Sequence, residues 1–421
     1  MTASTDAAAA HALSVAHAVR DADRVAAALT PQAAATLCDG LAGTALLHAC
    51  LSRDDPACEA AASQHWEVAA RLMCPAPADG IHTGPGALAA SLIIGTGYRP
   101  DPGRQGDTLR NAVAWLSARA EGLARHQQRR TDHGQPGVPW AVYDVIKGLT
   151  GIGRVLLAAH TTGQSAAEPG LTAALTTLTI MIRTPRGTRP GWWLPAADHP
   201  PAVAVHPSGA ATTGLAHGIA GPLALLAVAH IAGCTVPRQV DAIRTAASWL
   251  LTWHDPATSW PPDISGDDLD TQPATGAGRV TGRRDAWCYG APGIGRALTL
   301  AGEALTEPAL SRAGRAAITA LAHREPGKWD TEGPTLCHGT AGVLQAASAA
   351  DCAAAQQAAA HTTAFHDHRR PFGFPRIEGG ADLDEPGFLT GAAGAALALA
   401  DYGGLLPTDP PASWDCLLLL S

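Results

Sequence analysis

The amino-acid sequence predicts an all-α protein, and three observations carry that prediction. Alanine and leucine recur throughout while aromatic residues make up only 5% of the chain, which favours closely packed helices over sheets built from β-branched and aromatic side chains. A short glycine phrase returns seven times, each copy followed at once by an apolar run. The intervals between copies leave room for two helices and their connections. Together these predict seven helical hairpins closed into an α/α toroid over residues 1–421, an inner barrel of seven helices wrapped by an outer seven.

The copies are Gly40-Leu-Ala-Gly43, Gly84-Pro-Gly86, Gly148-Leu-Thr-Gly151, Gly218-Ile-Ala-Gly221, Gly290-Ala-Pro-Gly293, Gly339-Thr-Ala-Gly342 and Gly391-Ala-Ala-Gly394. Their first glycines are 44, 64, 70, 72, 49 and 52 residues apart. A glycine at a helix start lets neighbouring backbones approach and leaves the first N–H groups free, while the apolar run after it supplies a buried helix. The second helix of each hairpin is expected to be the amphipathic outer one. Ring closure then sets all seven phrases at one end of the barrel. Packing alone accounts for the copies at Gly40, Gly84 and Gly391. Three polar, Pro- and Gly-rich stretches near 99–139, 183–213 and 255–284 are expected as loops or small insertions over that end.

With 421 residues, 46% of them hydrophobic and 16% charged, the chain is long enough to bury a large core. A net charge of -8 without a basic block argues against nucleic acid and against an anionic membrane surface. Met1 to Arg20 reads as an alanine-rich helix carrying His11 and His17, not as a signal peptide. Leu223 to Gly233 falls short of the roughly 20 residues a bilayer span needs. In Cys416-Leu-Leu-Leu-Leu-Ser the cysteine is misplaced for prenylation. The nine cysteines include no C-x-x-C pair, so neither a disulfide framework nor a zinc ribbon is expected. A cytoplasmic protein without stable membrane insertion follows.

Three repeats set metal-ligand residues beside their glycine phrase: Trp287-Cys288-Tyr289-Gly290, Leu336-Cys337-His338-Gly339 and Gly214-Leu-Ala-His217-Gly218. If the phrases share one end of the barrel, these side chains converge. Two thiolates and one imidazole on Zn²⁺ leave a fourth position open, as in catalytic zinc sites. The alternative is that each cysteine is a small buried hydrophobe, and that reading is preferred for Cys38, Cys50, Cys58, Cys74, Cys234, Cys352 and Cys416. His361, His366 and His368 resemble a second metal cluster but stand among Asp367, Arg369 and Arg370, and are expected to be solvated.

On these phrases, together with Asp144 to Gly151, nearly the whole sequence resembles the lanthionine synthetase C-like family, the cyclases of lanthipeptide biosynthesis. The resemblance implies the toroid, a zinc ion on Cys288, Cys337 and His338, and thioether formation. The reaction would be an intramolecular Michael-type addition of peptide cysteine thiols to dehydroalanine or dehydrobutyrine. Its substrate would be a dehydrated precursor peptide, leader plus core, with a separate dehydratase and a transporter as further expected partners. The chemistry is reasonable, because a free thiol with pKa about 8.5 supplies little thiolate near neutrality and zinc would supply it.

His217 is the candidate acid/base for the proton at the α-carbon. Asp144 would orient a histidine or help deprotonate the thiol; the rival explanation is a carboxylate that merely favours a helix dipole. Arg284, four residues before Cys288, corresponds by spacing to a family arginine that would steady the enolate oxygen, with Arg283 beside it leaving the choice open. Tyr289 would hydrogen-bond around a ligand or simply pack. Two other readings remain: a zinc toroid that adds a small thiol such as glutathione to dehydrated residues, and a non-enzymatic peptide-binding scaffold. A scaffold has no need of His217 and Asp144.

Overall fold

Every apolar run that follows a glycine phrase is a helix, and together these helices form a closed ring. The computed structural model describes residues 2–73, 80–101, 106–255, 259–271, 284–324, 329–348, 350 and 353–421. The inner helices are Leu41–Cys50, Gly84–Thr96, Leu149–Thr161, Ala220–Ile231, Ala291–Ala304, Thr340–Ser348 and Ala392–Tyr402. Each packs on the next in chain order, and Ala392–Tyr402 returns to pack on Leu41–Cys50. They are buried on nearly all sides, as a helix wrapped by others must be; all ten residues of Leu41–Cys50 are buried.

The outer helices Pro56–Leu72, Gly106–Asp132, Glu168–Arg183, Gln239–Thr252, Pro308–Thr319 and Ala353–Ala364 each follow and cover their inner partner. The seventh differs from expectation. Ala392–Tyr402 is covered by the helix Thr2–Ala18 from the other end of the chain, whose Ala8, Ala12, Val15 and Ala16 form a buried stripe at helical spacing. The chain after Tyr402 offers only the short helix Trp414–Leu418, so closure draws its last outer element from the start.

The stretch expected as a loop near 99–139 contains the 27-residue outer helix Gly106–Asp132. Its many Arg, Gln and Asp residues hide a buried stripe of Val113, Leu116, Ala120, Leu123 and Gln127, spaced three and four apart. Parts of the other two stretches pair with each other, Ala210–Thr212 running antiparallel to Asp263–Ser265. Among the described residues no helix is long and apolar enough to cross a membrane.

A belt of backbone hydrogen bonds, 2.9 to 3.4 Å long, also closes the ring. The N–H groups of Leu37 and Cys38 donate to the His82 carbonyl, Ile81 to Ile146, Val145 to Ala216, Leu215 and Ala216 to Cys288, Cys288 to Cys337, Cys337 to Leu389, and Leu389 back to Cys38. Every acceptor in this belt stands two residues before a first glycine. The residues three before it, Leu37, Ile81, Val145, Leu215, Trp287, Leu336 and Phe388, are all fully buried. The second glycine of the phrase then closes onto these residues. A Cβ at Gly394 would lie 1.8 Å from the Phe388 carbonyl oxygen, and one at Gly342 2.1 Å from that of Leu336.

Candidate metal centre and its surroundings

The belt puts equivalent residues of every repeat in register, and this is what brings Cys288 and Cys337 together. They occupy the same place in adjacent repeats and share a backbone bond, Cys288 N–H to Cys337 O. The Cys288 turn is tightly held. Gly290 has φ of +117° and a Cβ there would lie 1.9 Å from the Arg284 carbonyl oxygen, so only glycine fits. The Asp285 carboxylate, fully buried, pairs with Arg324 and accepts the Asp330 N–H at 3.1 Å. The Trp287 indole N–H donates to the Leu418 carbonyl at 2.8 Å.

The donor atoms of Cys288, Cys337 and His338 all lie within 4.8 Å of one another, with the Cys337 sulfur 3.9 Å from His338 Nε2. Donors about 2.3 Å (sulfur) and about 2.0 Å (nitrogen) from a shared zinc ion fit such spacings, and two sulfurs with one imidazole suit that metal. The surroundings shift the three groups in different directions. A hydrogen bond from Cys337 and the His338 imidazole draw the Cys288 thiol well below the usual thiol range against its burial. The Cys337 thiol is pushed up by that same bond and by burial. His338 is raised, first by its bond to Cys288. Cysteine and histidine ligands bind a cation in their deprotonated forms, so metal binding here is expected to release protons.

His217 stands one residue before its first glycine, the place that His338 occupies in its own repeat. Its Nδ1 is 2.6 Å from Asp144 Oδ2, with the Asp144 side chain 2% exposed and that of His217 30%. The other carboxylate oxygen accepts the N–H groups of Lys147 at 2.7 Å and Gly148 at 2.9 Å. Asp144 is thus fixed by its own helix start and fixes His217 in turn, leaving Nε2 as the free ring nitrogen. The one-turn helix Trp140–Tyr143 completes the support. Trp140 stacks on the His217 ring at 4.7 Å, and the Tyr143 and Thr212 hydroxyls donate to the His217 carbonyl at 2.6 and 2.9 Å.

The sequence profile of lanthionine synthetase C-like proteins matches residues 31–418. The chain belongs to the lanthionine synthetase C-like family. It is 25% identical to the nisin biosynthesis protein NisC of Lactococcus lactis subsp. lactis over 204 residues, 47% of this chain and 46% of that protein. That match thus spans about half the length of the curated relative. The solved structure of a nisin cyclase superposes with a TM-score of 0.72 at 20% identity, covering 92% of this chain and 93% of that one, which shows a shared toroidal fold.

Within this member of the lanthionine synthetase C-like family, the other expected site residues fare differently. Tyr289 packs beside His217, ring centroids 6.5 Å apart, and against Gly214, where a Cβ would meet its ring at 2.5 Å. Burial, then the charge of Cys288, pushes its hydroxyl pKa well up. The Tyr289 carbonyl accepts the Ala286 N–H at 3.1 Å, while its side chain packs without a hydrogen bond among the described residues. Arg284 lies at the edge, 39% exposed, 3.4 Å from Glu332 and 3.9 Å from Asp330; Arg283 lies outside the described residues.

Cys50, Cys58 and Cys416 are buried as expected, while Cys74 and Cys352 lie outside the described residues. Cys38 and Cys234 are only half-buried. The Cys38 sulfur lies 3.9 Å from the Thr390 hydroxyl, and Cys38 is close enough to Cys337 to help push that thiol up. His366 departs from the solvated reading, packing against the His11 ring at 4.2 Å in a tilted arrangement with Nε2 buried and unpartnered among the described residues. His361 packs on Trp329 at 5.0 Å. Neither belongs to a metal-binding group among the described residues. Trp140, Tyr143 and Thr212 were not legible as site residues. The available signal was two aromatics within four residues of Asp144, in a chain with few.

Proposed function

We propose that this protein is a zinc-dependent lanthipeptide cyclase that adds peptide cysteine thiols to dehydroalanine or dehydrobutyrine, closing lanthionine and methyllanthionine rings. The observation that carries this reading is a donor set of buried Cys288 and Cys337 with half-buried His338, together with a histidine held by a buried carboxylate, in a chain of the cyclase family. Zinc held by these three residues would supply a thiolate near neutral pH at its open position.

The remaining steps belong to the protein. Attack of the thiolate sulfur on the β-carbon moves the double-bond pair onto the carbonyl oxygen as an enolate, and a proton must then reach the α-carbon. The proton released by the thiol is the one needed, so the reaction is an isomerisation. His217 carries it on Nε2, because Nδ1 is committed to Asp144 and the carboxylate compensates the imidazolium charge. Arg284, loosely paired and half-exposed, would turn toward the enolate oxygen. Tyr289, packed beside His217 and next in chain to Cys288, would wall the space where the two meet the substrate.

The substrate is then a dehydrated precursor peptide made by a separate dehydratase, and a cytoplasmic setting suits unpaired cysteines at seven described positions. Incubation with a dehydrated, cysteine-containing peptide tests the reading: the peptide should lose its alkylatable thiol with no change in mass. A gain in mass only when glutathione is added would replace it with small-thiol addition, and no thiol loss in either case would leave a scaffold.

A further inference from the structure

We propose that the segment Trp414–Ser421, packed inside the barrel, positions the metal centre by holding Trp287. The proposal rests on the reading that Cys288, Cys337 and His338 bind zinc.

Trp414 and Cys416 through Leu420 are at most 1% exposed and Asp415 is 5% exposed. Backbone brought into a helical barrel must find partners for its polar groups, and these come from around the ring. The Trp287 indole donates to the Leu418 carbonyl at 2.8 Å, Arg296 Nε to that of Leu420 at 2.6 Å, and Arg154 Nε to that of Ser421 at 3.0 Å. The Trp414 N–H donates to the Tyr98 hydroxyl at 2.9 Å. Asp415 accepts from Gln345 at 3.1 Å and from the Ser421 hydroxyl at 2.5 Å.

Arg154, Arg296 and Gln345 each stand six residues after the first glycine of their repeat. In the other four repeats that place holds Leu46, Ala90, Ala224 or Leu397, all fully buried. Polar side chains at these interior places are costly without partners, and the segment provides one to each, with Gln345 also donating to Asp401 at 2.8 Å. Trp287 breaks its own series in the same way. The six residues at its place elsewhere are aliphatic or phenylalanine, with no hydrogen-bond donor.

Trp287 is joined directly to Cys288. Its indole is tied to the segment, while its carbonyl lies where a Cβ at Gly293 would approach within 2.2 Å. The next carbonyl, that of Cys288, accepts two N–H groups of the belt. The backbone between these fixed points sets the direction of the Cys288 sulfur. Trp287 is therefore a positioning residue, the kind of support whose loss weakens a metal site more than it weakens the fold.

The test uses the full chain, with the zinc dissociation constant measured by competition against a chromophoric chelator and the melting temperature of the metal-free protein measured beside it. Trp287→Phe keeps a ring in the core and removes the N–H, and should raise the zinc Kd about 10- to 100-fold. Arg296→Met loosens the segment from a residue that touches no ligand, and should raise Kd in the same direction by less. Should Trp287→Phe fail to fold, Arg296→Met alone decides. The double variant should show less than the product of the two effects, because both act through one segment. Unchanged zinc Kd with a lowered melting temperature would overturn the proposal and leave the segment a stabilising plug. A wild-type chain that binds no zinc would instead remove the metal reading itself, and this proposal with it.

Discussion

Asp144→Asn separates orientation of His217 from folding. The wild-type carboxylate accepts three donors: the N–H groups of Lys147 and Gly148 on one oxygen, and His217 Nδ1 at 2.6 Å on the other. Alanine would orphan all three, at about 1–3 kcal/mol each and so about 3–9 kcal/mol in total, comparable with a domain's whole stability of about 5–15 kcal/mol. Asparagine keeps an oxygen for the two backbone donors. Its amide group then faces Nδ1, which must become an acceptor, so the ring proton moves to Nε2, the nitrogen proposed to take up and release the proton. The fold should lose no more than the charge-assisted bond, about 1.5–3 kcal/mol, while turnover falls about a hundred- to ten-thousand-fold. Thiol loss from a dehydrated peptide, measured beside thermal melting, reads both. An asparagine variant with wild-type turnover, or one whose activity falls only in step with its folded fraction, would refute the assigned role.

Burial, aided at His48 by neighbouring His65 and at His82 by the charge of His217, pushes both histidines down to about 3, against about 6.5 in the unfolded chain. The unfolded state therefore takes up protons that the native state refuses. Their contribution is complete above pH 6.5 and is lost as pH falls toward 3, at about 1.4 kcal/mol per pH unit for each histidine; denaturant melts of wild type and His82→Phe should differ by one proton's slope. Stripping zinc with a chelator should lower the melting temperature, and adding zinc back should restore it in a concentration-dependent way; a melting curve indifferent to both would count against the ligand set. Gly394→Ala puts a Cβ 1.8 Å from the Phe388 carbonyl and should destabilise the chain by about 1–3 kcal/mol, whereas Gly233→Ala, with open space around it but a positive φ, should cost about 1 kcal/mol.

The ring was legible because its cause is local and repeated. Each glycine phrase marks a close approach that every hairpin must make, so spacing alone carries the inner helices, and register carries Cys288 toward Cys337. What the spacing does not carry is any contact between parts that do not repeat. The pairing of Thr2–Ala18 with Ala392–Tyr402 follows from closure, which links the two ends of the chain. Gly106–Asp132 was hidden because an outer helix buries one narrow stripe beneath a polar surface. Trp140 and Tyr143 reach His217 from a neighbouring repeat, a contact that exists only after the ring forms. The leucine run at 417–420 has no polar pattern of its own, and its place shows only in contacts from around the ring, among them those of Arg154, Arg296 and Trp287.

The most direct measurement of the central claim is zinc per chain by elemental analysis, for wild type and Cys288→Ala, with thiol loss from a dehydrated peptide followed in the same samples. The account predicts one zinc per wild-type chain, with metal and thiol loss both abolished by the substitution. A wild-type chain that closes thioethers without zinc, or a Cys288→Ala chain that keeps both, would contradict it.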